Sequence, residues 1–374
     1  MEIPLLDLRA QYMSIKAEID EAVKRVIDSQ YFILSPEVSS FEKETASYCG
    51  VEHAAGVASG TDAIVLSLKA AGVGKGDLVI TTPFTFFATA ESISVLGARP
   101  VFADIREDTY NIDPAKIEEA IEGMGPADRE RLKAIVPVHL YGQCADMSGI
   151  MRIAEKHSLS VVEDCAQAIG ATHNGRKAGS FGIAGCLSFF PSKNLGGFGD
   201  GGMVVSGNKA LIEKVKKLRV HGSGKQYVHE EVGFNSRLDS FQAAVLRVKL
   251  KELDKWIEGR RRIAGIYNDA FRDIPVKTPL VAEGNDHTYH QYTIETGDRD
   301  GLGDFLSGKG IAARVYYPVP LHLQPCYKDL GYPAGSFPVS EKKAGTVISL
   351  PVYPELSQSK VDYVAGAVKE FFEG

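Results

Sequence analysis

The stretch VASGTDAIVLSLKAAGV, residues 57–73, decides how the fold is read. It predicts a short strand, a turn at Ser59–Gly60 and a helix whose apolar residues recur at helical spacing. The segments after it continue the alternation: strands in LVITT, PVFADI, AIVPVHLYG and SVVEDCAQ, and helices in ATAESISVLG and MSGIMRIAEKHS. Strands that alternate with helices form parallel βαβ units, so we expect an α/β fold with a mostly parallel sheet between helices.

A change of pattern near residue 255 predicts a second domain. Residues 239–272 form one long helical pattern, and the chain after Ile274 changes to short strands, in TYHQYTIET and AARVYYP, and two helices. A chain of 374 residues is long enough for one large domain and a smaller one. We therefore predict a large domain at 1–254 and a smaller C-terminal α/β domain at 255–374.

Composition narrows the class of protein. The formal net charge of −6 argues against a general nucleic-acid binder, and the chain contains no apolar run long enough to span a membrane. The five cysteines are scattered without a CxxC pair, and no HExxH motif is present, so we predict reduced thiols and no metal site. We expect a soluble, cytoplasmic protein with no nucleic-acid or membrane partner.

Polar residues that follow the strands are the first candidates for a site, because ligands gather beyond the carboxyl ends of parallel strands. Each has a second interpretation. The Gly60–Thr61 turn could bind a phosphate at a helix start, or SGTD could be an ordinary helix cap. Asp164 in VVED could pair with a protonated ring nitrogen, or it could be a helix cap or pair with a surface base. Phe86 could stack on an aromatic ring or belong to the core, and Ser188 could bind phosphate or cap a strand.

The stretch LSFFPSKNLGGFGDGG, residues 187–202, places Lys193 between an aromatic pair and a run of glycines. One ligand explains this lysine and the other candidates together. Pyridoxal phosphate needs an amine for its aldehyde, an acid for its pyridine nitrogen, a face for its ring and a cradle for its phosphate. Lys193, Asp164, Phe86, the Gly60–Thr61 turn and Ser188 supply these groups, and the glycines would let the backbone pass close to the ligand.

The sequence resembles the sugar aminotransferases of the DegT/StrS type, which depend on pyridoxal phosphate and have fold type I. The resemblance runs through the ordered blocks YFILSPEVSSFE, SGTDAI, PFTFFATAE, GARPVFADI, IVPVHLYGQ, VVEDCAQAIGA, LSFFPSKNLGGFGDGG, GFNSRLDSFQAA and YYPVPLHLQP. It implies that Lys193 forms the Schiff base, that Asp164 pairs with the pyridinium and that Gln167 contacts the phenolic oxygen. It also implies phosphate binding by Gly60, Thr61 and Ser188, and ring stacking by Phe86. Asn235 and Arg237 would reach the phosphate of the neighbouring subunit, which makes the active unit a homodimer with shared sites.

The function implied by this resemblance is transfer of an amino group from L-glutamate to a nucleotide-linked keto-sugar, which gives an amino sugar. A UDP- or dTDP-linked 3-keto sugar is favoured by the GQCADM segment; a 4-keto sugar and another chemistry of the same cofactor are alternatives. Lys193 itself disfavours dehydration, because relatives with that activity carry histidine there. His322 and Tyr317 are the candidates for the sugar side of the pocket, although His322 could be a turn histidine. A rival from another class is a non-catalytic sensor or accessory protein that only holds the cofactor.

Overall fold

The computed structural model describes residues 2–225 and 227–373. Its strands are β1 His53–Val57, β2 Leu78–Thr81, β3 Arg99–Phe102, β4 Leu132–Ile135, β5 Ser160–Asp164, β6 Thr172–His173, β7 Arg176–Lys177, β8 Ala184–Ser188, β9 Gly202–Ser206, β10 Ser223–Lys225, β11 Val228–His229, β12 Asn285–Asp286, β13 Tyr292–Glu295 and β14 Val347–Leu350. Its α-helices are α1 Leu8–Ser14, α2 Lys16–Ser29, α3 Pro36–Cys49, α4 Gly60–Ala70, α5 Ala88–Ser94, α6 Pro114–Glu122, α7 Pro126–Arg131, α8 Met147–His157, α9 Lys209–Leu218, α10 Ser240–Leu250, α11 Leu253–Ala270, α12 Arg299–Gly308, α13 Pro338–Thr346 and α14 Gln358–Glu373. Short 3₁₀ turns cover Leu140–Gly142, Leu321–Leu323 and Pro325–Leu330.

The central sheet has seven strands in the order β1-β9-β8-β5-β4-β2-β3. Every neighbouring pair from β8 to β3 is parallel, and β9 runs antiparallel to both β1 and β8. The expected α/β fold with a mostly parallel sheet is confirmed. All strands except β9 therefore end at the same edge of the sheet, where the polar residues that follow them can meet.

Both faces of the sheet are covered because successive strand residues point in opposite directions. Ala134 joins a buried cluster with Ile64 of α4 and Ile212 of α9, whereas its neighbour Ile135 joins another cluster with Ile150 of α8. Apolar residues on both faces explain why these strands read as nearly continuous apolar runs in the sequence.

The C-terminal part of the chain departs from the expected elements in three ways. Residues 239–272 form two helices, α10 and α11, because the apolar side of α10 packs on α2 and α3 while α11 packs against α14. AARVYYP is not a strand; it contributes only a bridge between Arg314 and Ser349. Three α-helices, not two, follow Ile274, and α13 begins at Pro338, since proline is well tolerated in the first helical turn.

A further buried cluster surrounds β13 and β14 and includes residues of α11, α12 and α14. Ile3, at the other end of the sequence, belongs to the same cluster and pairs with Gly310 and Ala312 through its backbone. The domain boundary between residues 254 and 255 stays a prediction; it falls within α11. Among the residues described, no helix has the length and apolar character needed to cross a bilayer.

Candidate active site

A cavity of about 410 Å³ opens at the carboxyl edge of the parallel strands. Much of its wall comes from segments at the ends of strands: the turn after β1, the loop after β2, the ends of β5 and β8, and the loop before β9. The rest comes from residues 290–291 and 316–317. The predicted site residues that line it are Gly60, Thr61, Phe86, Asp164, Gln167, Ser188, Lys193 and Tyr317. Asn235, Arg237 and His322 do not line it. The topology of the sheet thus brings together residues that are far apart in sequence.

The turn before α4 provides an anion cradle. Ser59 caps the helix by accepting a hydrogen bond from the Asp62 amide at 3.0 Å, which leaves the Gly60 and Thr61 N–H groups without a protein acceptor among the described residues. A Cβ atom at Gly60 would stand 2.6 Å from the Ser188 Cβ. The glycine therefore lets the helix start and Ser188 approach closely, beside the positive end of the helix dipole. The two interpretations of SGTD are compatible.

Asp164 ends β5 and is buried. Its Oδ2 accepts a hydrogen bond from Thr89 Oγ1 at 2.8 Å and its Oδ1 accepts one from the Ala166 amide at 3.1 Å. Its own backbone is fixed by bonds to Pro137 and His139 on the neighbouring segment. The carboxylate is thus held in one orientation at the wall of the cavity.

Gln167 connects two tyrosines at the cavity. Its Oε1 accepts a hydrogen bond from the Tyr141 amide at 2.8 Å, and its Nε2 donates to the Tyr317 hydroxyl at 2.9 Å. These two bonds fix which end of the amide is the donor. Burial raises the pKa of Tyr317 well above its ordinary value, so the hydroxyl keeps its proton and remains able to donate into the cavity.

Lys193 lies in a tight loop between β8 and β9. Burial lowers the pKa of its amine to about 8, although the negative charge of Asp164 acts in the opposite direction. The glycines of this loop do not all have the same role. A Cβ at Gly196 would meet the Pro191 carbonyl at 2.2 Å within the loop, and one at Gly197 would meet Gln242 of α10 at 2.7 Å, so these two glycines are required by contacts within the protein. Gly201 lines the cavity, as expected of a glycine beside a ligand.

Phe86 lies at the mouth of the cavity, and the remaining predicted residues lie outside it. The Phe86 ring is 58% exposed at the mouth of the cavity, with its centroid 6.1 Å from that of Tyr317. Asn235 is exposed and Arg237 half-buried, away from the cavity of their own chain. His322 is buried in a 3₁₀ turn, where its Nε2 pairs with Glu341 at 3.0 Å and its ring packs on Phe337.

Three further residues were not singled out from the sequence: Thr89, Tyr141 and His290. The Asn194 amide donates to the Thr288 carbonyl at 3.3 Å, so its oxygen faces His290 Nδ1, at 3.4 Å. His290 Nδ1 therefore carries the ring proton and Nε2 keeps its lone pair. Burial and the charges of Lys193 and Arg260 hold the pKa of His290 well below its ordinary value. A neutral imidazole thus lines the cavity beside Lys193.

His139, Glu163 and Cys165 form a buried cluster with the spacing of metal ligands. The side-chain oxygens and nitrogens of Glu163 and His139 already have hydrogen-bond partners. Glu163 accepts hydrogen bonds from the Gly179, Phe181 and Gly182 amides, each at 2.8 Å, and pairs with His139 Nε2 at 2.9 Å. His139 Nδ1 accepts from the Ala145 amide at 3.0 Å. We interpret this cluster as a structural network that anchors the loop between β7 and β8 to β5.

Comparison with known proteins supports this picture. Residues 13–369 match the DegT/DnrJ/EryC1/StrS aminotransferase family. A "Pleiotropic regulatory protein" of Geobacillus stearothermophilus is 49% identical, over 100% of this chain and 99% of the relative. A "UDP-N-acetyl-3-dehydro-alpha-D-glucosamine 3-aminotranferase" of Acidithiobacillus ferrooxidans is 45% identical, over 100% and 98%. The crystal structure of S. venezuelae DesV "in complex with ketimine intermediate" superposes with a TM-score of 0.96 at 43% identity, covering 100% of this chain and 99% of DesV.

Proposed function

The chain belongs to the DegT/DnrJ/EryC1/StrS aminotransferase family, and on this basis we propose that it transfers an amino group from L-glutamate to a nucleotide-linked keto-sugar. One observation carries the proposal: a single cavity contains a lysine amine with a pKa lowered to about 8 and a buried, hydrogen-bonded aspartate. An amine that is partly uncharged at neutral pH is what a proton shuttle in transamination requires.

The residues of the cavity fit pyridoxal phosphate. The free N–H groups of Gly60 and Thr61 and the hydroxyl of Ser188 suit the phosphate, and the close approach of Gly60 to Ser188 leaves no room for a side chain between them. Lys193 suits the aldehyde, Asp164 the ring nitrogen, and Gln167 the phenolic oxygen. When bound, the cofactor supplies an electron sink for the carbon that loses or gains the proton.

The side chains of the cavity have different roles in the reaction. Lys193 Nζ accepts the proton from the α-carbon of the amino donor, and later delivers a proton to the sugar carbon that receives the amine. Asp164 would pair its negative charge with the ring nitrogen of the bound cofactor, and Gln167 keeps the Tyr317 hydroxyl in place. Neutral His290 leaves the Lys193 amine without a second positive charge beside it.

The identity of the sugar substrate is a separate part of the proposal. The name of the Acidithiobacillus relative supports a UDP-linked 3-keto sugar as the amino acceptor. A dTDP-linked 3-keto sugar and a 4-keto sugar remain the alternatives. Tyr317 is the proposed contact on the sugar side, because its hydroxyl lies at the cavity wall. His322 also remains a proposed contact on the sugar side, although it is buried, pairs with Glu341 and does not line the cavity.

We also propose that the active unit is a homodimer with shared sites. Asn235 and Arg237 do not line the cavity of their own chain and are at least partly exposed, which suits residues that serve a neighbour. The consecutive residues of the segment Tyr31–Leu34 are apolar and exposed, as expected of a surface that another subunit covers. Lys193→Ala and Asn235→Ala subunits, each inactive alone, should regain activity when mixed, because one hybrid site then carries both native residues. Mixtures that stay inactive, although hybrid dimers form, would argue against sharing.

The cytoplasm is the proposed place of action. The support is chemical: all five cysteines are free thiols, and four of them are buried. Burial raises the pKa of Cys49 to about 12, which keeps that thiol protonated and unreactive. Such thiols suit a reducing compartment.

A sensor that binds the cofactor without turnover is the second candidate, and the name of the Geobacillus relative favours it. Protein saturated with pyridoxal phosphate should absorb visible light, and borohydride should fix a phosphopyridoxyl tag on the peptide with Lys193. L-Glutamate should discharge the band, and a suitable UDP-linked keto-sugar should restore it. A band that no amino donor discharges would favour the sensor, and a tag on another peptide would refute the site.

A further inference from the structure

Two buried threonine hydroxyls form a line of hydrogen bonds with the Asp164 carboxylate, and the outer one, Thr85, also lines the cavity. Thr89, in the first turn of α5, donates its hydroxyl hydrogen to Asp164 Oδ2 at 2.8 Å. Thr85, in the loop after β2, places its Oγ1 at 3.2 Å from Thr89 Oγ1. All three side chains are buried. The chain of contacts joins residues 75 positions apart in the sequence.

The direction of these bonds follows from the inventory of donors. An ionised carboxylate only accepts, and a threonine hydroxyl has one hydrogen. Thr89 spends that hydrogen on Asp164, so its oxygen is left to accept and Thr85 must be the donor between the two hydroxyls. Each bond in such a line polarises the next, which strengthens the last bond to the carboxylate.

We infer that Thr89, backed by Thr85, is a positioning residue that presents Asp164 to the ring nitrogen of the cofactor. This inference rests on the proposed function. Thr89 on Oδ2 and the Ala166 amide on Oδ1 restrain both oxygens of the carboxylate. The two donors also stabilise the ionised form, because hydrogen bonds to a charged acceptor are stronger than bonds between neutral groups. Thr89 itself does not line the cavity.

The test is equilibrium binding of two ligands to cofactor-free protein. One is pyridoxamine 5′-phosphate; the other is its deaza analogue, in which CH replaces the ring nitrogen. Thr89→Val removes the hydroxyl and keeps the branched shape. We expect the dissociation constant for pyridoxamine phosphate to rise about tenfold, equivalent to about 1.4 kcal/mol, and that for the deaza analogue to change less than about twofold. Thr89→Ser, which keeps the donor, should restore the wild-type value for pyridoxamine phosphate.

Two further variants sharpen the comparison. Thr85→Val leaves Thr89 in place and should give a smaller loss, again only for the ligand with a ring nitrogen; it also serves if Thr89→Val does not fold. Thr81→Val is the matched control, because Thr81 is equally buried but donates to the Val136 carbonyl and not to Asp164. It should not separate the two ligands.

The outcomes of this experiment separate the positioning role of Thr89 from the proposed function. Equal losses for both ligands in Thr89→Val, or no loss for either, would overturn the positioning role and leave the proposed function standing. Wild-type protein that binds neither ligand would overturn the proposed function itself.

Discussion

The sharpest prediction concerns the charge of Lys193 in the cofactor-free protein. Burial lowers the pKa of its amine from the ordinary 10.5 to about 8. At pH 7 an amine with the lower pKa is about 9% uncharged, against about 0.03% for an ordinary lysine, a gain of about 300-fold. Because only the uncharged amine attacks acylating reagents, the reactivity of Lys193 should rise between about pH 7 and 9 and then level off.

The assay is competitive acetylation with a trace of acetic anhydride from pH 6 to 11, read by mass spectrometry of the peptide that contains Lys193. Lys255, whose side chain is 82% exposed, provides the internal reference within each sample. Asp164→Asn should move the Lys193 inflection to a lower pH, since the charge of Asp164 raises the lysine's pKa. A Lys193 profile that inflects near pH 10.5 would refute the idea that burial prepares this amine.

Three further predictions concern the cradle, the mouth and the structural network. Gly60→Ala should lower the affinity for pyridoxal phosphate by about tenfold or more, because the added methyl collides with Ser188. Gly74→Ala is the control and should not change the affinity, since a Cβ there has nothing within 4 Å. Equal affinities for the two variants would contradict the role of the Gly60 turn in phosphate binding. Phe86→Ala should weaken cofactor binding about five- to tenfold by titration, yet leave the free energy of unfolding within about 0.5 kcal/mol, since the ring is exposed. Glu163→Gln should lower the free energy of unfolding by about 3 kcal/mol, measured in a urea titration. The reason is that an amide cannot accept hydrogen bonds from the three backbone N–H groups and the histidine together. An unchanged free energy of unfolding would show that this network adds little to stability.

The sequence was sufficient to predict those residues of the site whose position follows from the order of strands and helices along the chain. Gly60, Asp164 and Ser188 each follow or end an apolar strand, and parallel strands bring such positions to one edge of the sheet. The βαβ alternation and the lysine in its glycine-rich loop were visible for the same reason. The shape of the loop itself was not, because Gly196 and Gly197 are required by contacts within the protein.

Residues whose role depends on a distant partner gave no such signal. Thr89 meets Asp164 only because α5, which packs on α4, β2 and β3, begins near the carboxyl end of β5, and His290 meets Asn194 across 96 positions of sequence. The role of His322 in substrate binding stays a prediction. The structure places it in the Leu321–Leu323 turn, where the Leu321 amide donates to the Pro83 carbonyl, and it does not line the cavity as Tyr317 does.

Glu163 and Asp164 show how little sequence separates a structural carboxylate from a functional one. They are adjacent at the end of β5, and strand geometry sends their side chains to opposite faces of the sheet. Glu163 faces a loop that saturates it with three backbone N–H groups and a histidine, so no capacity remains for a ligand. Asp164 faces the cavity, receives one donor on each oxygen and keeps lone pairs for another partner. A shift of register by one residue would exchange the two roles, which is why the packing of β5 between β4 and β8 is as necessary to the chemistry as the aspartate itself.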